Sequence, residues 1–227
     1  MKRRLLWLFV ALFTVFNTST GFAQSRQYIR DVIDRWGGCR NVAITKYNGD
    51  LALFGRNAYA VSNCPKGLNE ELKLLNDESK YIDDVQLTDN GRWLILYGDN
   101  GTVWNDIPSS LEHKLREYND KQEVITSVTF NDDGDWIVIT TNYFSSSDTG
   151  LTQWLKEGHD TYGPLWAACI TDDALVAVYK EGYKYVGNIP KALKRALRKT
   201  KLNVYRVKVS GSAWFFADKN GSCKFSM

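Results

Sequence analysis

The sequence predicts a mostly β fold with short helices, built as five units of three strands followed by a helix and closing into a ring. Three observations carry the prediction. Two segments repeat almost phrase for phrase, Val85 to Leu96 and Val128 to Ile139. Weaker copies start at Val42, Ala168 and Val207, and the anchors Leu51, Trp93, Trp136, Leu175 and Trp214 stand 42, 43, 39 and 39 residues apart. A period near 40 marks a repeat architecture, because each unit needs a neighbour to cover its apolar face. Finally, proline introduces a run with leucines four apart: Leu68 and Leu72, Leu111 and Leu115, Leu193 and Leu197. An open β/α repeat array is the alternative arrangement of the same units.

In chain order, Lys2, Arg3 and Arg4 precede an apolar run from Leu5 to Phe16, and Gly21-Phe22-Ala23 supplies a small-x-small cleavage signature. Residues 1–23 therefore read as a signal peptide, too short in its apolar part for a bilayer span. Residues 24–227 are expected to form one repeat domain with no membrane span. Tyr28, Ile29, Val32, Ile33 and Trp36 recur at helical spacing before Gly37-Gly38. They predict a helix over 26–36 packed beside the strands of Val207 to Phe225, burying Ile29, Ile33 and Trp36.

The units run over 39–80, 81–123, 124–164, 165–203 and 204–227. Each opens with an alternating segment, a turn of Asp, Asn or Gly, and a β-branched and aromatic run, the pattern of a hairpin. Third strands follow at Asn57 to Val61, Gly101 to Asp106, Asn142 to Ser145, Gly182 to Asn188 and Gly221 to Phe225. Pro65, Pro108 and Pro190 are expected at first helical positions, where the missing N–H has no partner to lose. The third unit keeps Leu151 and Leu155 but has no proline, and Gly158 is expected to end its helix early. The fifth unit has no helix of its own, so the N-terminal helix is expected to complete it and close the ring.

Asn131-Asp132-Asp133-Gly134-Asp135-Trp136-Ile137-Val138 and Thr88-Asp89-Asn90-Gly91-Arg92-Trp93-Leu94-Ile95 resemble the strand-turn-strand signature of TolB-like, WD40-like β-propeller repeats of bacterial exported proteins. The likeness covers about a third of each unit. It implies a β-propeller-like ring of radial blades that presents protein contacts, here with a helix where a fourth strand would stand.

Composition points to a folded globular chain: 44% of the 227 residues are hydrophobic and 13% aromatic, enough for a core and too many for disorder. Net charge is +3, and without the three basic residues of the leader the chain is near neutral, so overall charge selects no partner. Cys39, Cys64, Cys169 and Cys223 permit two disulfides and lack the paired spacing of a zinc site. His113 and His159 lie in different units, so no metal or cofactor is expected. Ser145, Ser146, Ser147, Asp148 and His159 read as a polar loop rather than a nucleophile, orienter and base. The Asp-rich turns read as turn chemistry rather than calcium ligands. Trp93, Trp136 and Trp214 share one repeat position with Leu51 and Leu175 and read as packing.

Charge is uneven nonetheless. From Lys180 to Lys208 stand Lys180, Lys184, Lys191, Lys194, Arg195, Arg198, Lys199, Lys201, Arg206 and Lys208 against one acid, Glu181. Lys191, Lys194, Arg195, Arg198 and Lys199 form the candidate patch for an anionic partner, with no aromatic interleaving that would suggest nucleic acid. The expected function is a non-catalytic, exported binding or scaffold protein whose repeats meet a protein or a surface glycan. The alternative is an exported hydrolase with its site in a central cleft.

Overall fold

The computed structural model describes residues 22–47 and 49–227. They form five three-stranded antiparallel sheets and five short helices. Helix α1 (Phe22–Trp36) comes first, followed by β1 (Asn41–Ile44), β2 (Asp50–Phe54), β3 (Ala58–Ser62) and α2 (Lys66–Asp77). The second unit is β4 (Ile82–Leu87), β5 (Trp93–Tyr97), β6 (Gly101–Asn105) and α3 (Ser109–Asp120). The third is β7 (Ile125–Phe130), β8 (Trp136–Thr140), β9 (Phe144–Ser146) and α4 (Thr149–Tyr162). Then come β10 (Leu165–Ile170), β11 (Ala174–Tyr179), β12 (Gly182–Gly187) and α5 (Lys191–Lys199), and finally β13 (Arg206–Ser210), β14 (Ala213–Ala217) and β15 (Cys223–Ser226). The leader assigned to residues 1–23 lies outside the described residues up to residue 21, and Phe22 and Ala23 belong to the first turn of α1. No helix among the described residues is long and apolar enough to cross a membrane.

Hairpin turns form where the repeat places a short polar side chain ahead of glycine. Thr45 Oγ1 accepts from the Gly49 amide at 2.8 Å, Thr88 Oγ1 from Arg92 at 3.2 Å, and Asn131 Oδ1 from Asp135 at 2.8 Å. Such bonds replace ladder bonds with a local turn, and Gly91 and Gly134 supply the positive φ, +81° and +95°, that the same turns need. The first strands of units two to four carry a bulge at one repeat position, Asp83, Thr126 and Trp166.

The prolines stand one residue earlier than the sequence suggests. Pro65, Pro108 and Pro190 are cap residues with ψ of 139°, 134° and 131°, already extended, and the helix starts after them. Proline's fixed φ near −65° suits either place, so composition alone does not separate them. The reading of Gly158 is corrected outright, for α4 runs past it to Tyr162. A Cβ at 158 would lie 2.1 Å from the Tyr179 hydroxyl, which donates to the Leu155 carbonyl at 3.1 Å. Glycine is there to let the helix sit down on a tyrosine, not to stop it.

Each helix is the wedge between two units, and the core divides accordingly. Leu68, Leu72 and Leu75 of α2 pack between Leu51 and Leu53 on one side and Val85, Trp93 and Ile95 on the other. Leu111 and Leu115 of α3 join Leu94 and Leu96 to Phe130 and Trp136. Leu155 of α4 joins Ile137 and Ile139 to Ala168 and Tyr179, and Leu193 and Leu197 of α5 join Val176 and Val178 to Val207 and Trp214. Ile29, Val32 and Ile33 of α1 then join Phe215 and Ala217 of the last unit to Val42 and Ala52 of the first. Trp36 is only half-buried, stacked on Phe54 with ring centroids 5.2 Å apart, because α1 leans on β2 and β3 as well as on the last unit. First strands touch first strands: β4 packs beside β1 and β7, β10 beside β7 and β13, and β13 beside β1.

Candidate functional site

The sequence-predicted patch is a single helix face. Lys191, Arg195, Arg198 and Lys199 of α5 are exposed, and Lys194 is half-buried with its ammonium 4.6 Å from the centre of the Tyr185 ring. Leu193 and Leu197 turn into the core, which leaves the cations outward. None of these five pairs with a carboxylate among the described residues. Arg198 and Lys199 occupy the last turn, where cations complement the helix dipole. Tyr183 and Tyr185, stacked with centroids 6.1 Å apart on β12, lie beside this face.

The wider basic run does not form one surface. Lys184 is held away from it, donating to the Trp154 carbonyl at 2.8 Å and standing 3.2 Å from Glu157. Arg206 and Lys208 are buried on β13.

Lys208 is the centre of a polar network that joins units far apart in the chain. Its ammonium donates to Asp84 Oδ1 at 3.0 Å, to Gln86 Oε1 at 3.2 Å and to the Val85 carbonyl at 3.3 Å. Asp84 also accepts from Asn41 Nδ2 at 2.7 Å, from Ser127 Oγ at 3.0 Å and from the Val128 amide at 3.3 Å. Strands β1, β4, β7 and β13 therefore share one carboxylate. Burial by itself would raise the Asp84 carboxyl, but Lys208 and Arg206 nearby and the bonds from Lys208 and Asn41 hold it below the ordinary range. The alternation Val207-Lys208-Val209 was the signal in sequence: a lone charge at an inward position of a buried strand needs a buried partner.

Near the bulges the balance is opposite. Burial pushes the Asp83 carboxyl up to about 6, against the pull of Arg206 and Arg40. Arg206 is committed across the molecule, donating to the Thr126 carbonyl at 2.9 Å. Because the folded-state value lies above the ordinary one, Asp83 favours folding below pH about 4, and that contribution is lost as pH rises to about 6. Asp83→Asn is expected to match the parent near pH 4 and to exceed its stability by about 1 kcal/mol at pH 7, allowing for screening at a partly exposed site. Urea unfolding at the two pH values checks this; equal stability at both would refute it.

At the other end of the first strands the turn acids link units to one another. Asp89 Oδ1 accepts from the Lys46 amide at 2.6 Å, Asp132 Oδ2 from Asn90 at 3.1 Å, and Asp172 Oδ1 from Asp132 at 3.2 Å. The sequence reading assigned these residues to their own turns; their side chains serve the turn of the preceding unit, which a repeat position alone does not reveal. Gln86, Asp132, Asp172 and Lys208 line a cavity of about 30 Å³ there, room for water rather than for an organic molecule. No group of three or more His, Cys, Asp or Glu among the described residues could hold a metal ion.

The remaining candidates are committed elsewhere. Ser147 Oγ donates to Asp135 at 3.1 Å, Asp148 caps α4 by accepting from the Leu151 amide at 2.9 Å, and His159 lies 3.6 Å from Asp160. The four cysteines are free thiols, and burial pushes Cys39 and Cys64 up to about 12. Trp93, Trp136 and Trp214 are buried. Trp136 donates to Ser110 at 2.9 Å, whereas Trp214 Nε1 has no partner among the described residues, since Ala192 stands two residues after its proline where Ser110 does in α3.

The chain matches no family model, no curated protein and no solved structure.

Proposed function

We propose that the protein is an exported, non-catalytic binding scaffold, a propeller-like ring of five units that meets an anionic partner, a surface glycan or an acidic protein face, through α5. The observation that carries this reading is the face of α5, five cations with no carboxylate partner among the described residues. A folded protein usually dilutes such a face with acids, as α3 does with Glu112 to Arg116 and Glu117 to Lys121. Ring closure is supported by the contact of β13 with β1 and by α1 filling the space between the last unit and the first. Closure leaves no open end for a solenoid cap to cover, and it gives α5 a rigid base.

Retention of the parent and of a Lys191→Glu, Arg195→Glu, Lys199→Glu variant on heparin and on anionic glycans tests the reading. The parent is expected to bind about ten-fold more tightly, and its retention to fall as salt rises from about 50 to about 200 mM. Equal retention, or retention indifferent to salt, would overturn it.

A further inference from the structure

A cleft at the junction of the third and fourth units has no lining residue from α5 and has a different chemistry. It opens between the end of α4 and the turn from β8 to β9, and its volume of about 390 Å³ falls within the range of small-molecule sites. Tyr143, Phe144 and Leu165 give it apolar walls, and one helix brings Lys156, the His159 ring and Asp160 to it.

We propose that this cleft binds a free α-amino acid with an apolar, preferably aromatic, side chain, held as the zwitterion. Lys156 and Asp160 stand at i and i+4 on α4, about one helical turn apart. Although that spacing allows an ion pair, none forms between them. The next residue, Glu157, pairs with Lys184, and Lys156 has no acid partner among the described residues. Among the described residues Asp160 has only His159 as a basic neighbour, at 3.6 Å. One cation and one anion thus border the same apolar space at the separation of one turn.

A simple carboxylate would satisfy Lys156 and be repelled by Asp160, and a simple amine would meet the reverse. A zwitterion satisfies both, its carboxylate on Lys156 and its ammonium on Asp160, with the side chain against Phe144 and Leu165. The Phe144 ring leans on His159, centroids 6.1 Å apart, and both line the cleft, where a further ring would find an aromatic partner. α4 is also where the repeat is broken: it has 14 residues against 12 in α2 and α3, and an Asp148 cap in place of proline.

Calorimetric titration with L-phenylalanine, phenylacetate and phenethylamine, on the whole protein at pH 7, tests the assignment. Phenylalanine is expected to saturate one site, and each analogue lacking a charge to bind at least about five-fold more weakly. Lys156→Ala and Asp160→Asn are each expected to weaken phenylalanine about five-fold. Both positions are exposed, so an unchanged melting temperature confirms that the fold is kept. Absence of saturable binding by phenylalanine, an analogue that binds as well, or variants of unchanged affinity would each overturn the proposal. The α5 charge-reversal variant is expected to bind phenylalanine like the parent, which separates this site from the glycan reading.

Discussion

Lys208→Met is expected to lower stability by about 3–5 kcal/mol at neutral pH, comparable with a large part of the stability of a domain this size. Methionine fills most of the space but leaves Asp84, 1% exposed, with neutral donors only. A carboxylate in that position is costly when its counter-charge is gone, because water cannot reach it. The pH dependence fixes the cause. In the parent the Asp84 carboxyl is held low, so its contribution is present above pH about 4 and fades as pH falls through the folded-state value. In the variant burial is opposed only by Arg206 and the bond from Asn41, and the carboxyl takes up a proton more readily, so the deficit should narrow in acid. Urea unfolding of both proteins at pH 7 and pH 4 measures it; a deficit below 1 kcal/mol at pH 7, or one that widens in acid, would mean the pair is not holding the strands together.

The second large effect concerns α1. Ile29→Ala with Ile33→Ala is expected to cost about 5 kcal/mol or more, since both side chains are fully buried and a helix pinned at both flanks cannot collapse into the space left. Arg26 ties the start of that helix to Asp50 at 2.9 and 3.1 Å, which limits relaxation further. The location of the damage matters as much as its size. If α1 bridges the last unit and the first, amide exchange should accelerate on β14 as well as on β2. Exchange that speeds up on β2 alone would favour an open array.

The repeat was legible because its determinants are local. Turn residues, β-branched runs and leucines at helical spacing each act within about a dozen residues, and the sheets and most helices stand where those signals put them. Gly158 shows the limit of that reading. As a helix breaker it is a local residue, but its role comes from Tyr179, 21 positions on in another unit. Lys208 misled for the same reason: counted with its neighbours it is one of ten basic residues, and only its pairing with Asp84, 124 positions away, removes it from the surface. The cations of α5 point outward as read, because spacing along one helix decides which way its side chains point. Asp132 and Asp172, bonding to the unit before, and the cleft beside Phe144 depend on how units abut, which no single unit encodes.

The place of α1 sets the order of events in time. Its guanidinium at Arg30 donates to the Met227 carbonyl at 3.1 Å, across 197 positions of chain, and Ile29 and Ile33 rest on Phe215 and Ala217. Helix α1 thus finds half its seat only when the hairpin of β13 and β14 exists. Until then its apolar stripe lacks that cover, while the middle units can already settle pairwise on their own wedges. Closing so long a loop costs entropy that grows only logarithmically with length, so the penalty is chiefly delay: assembly should wait on the tail catching the head.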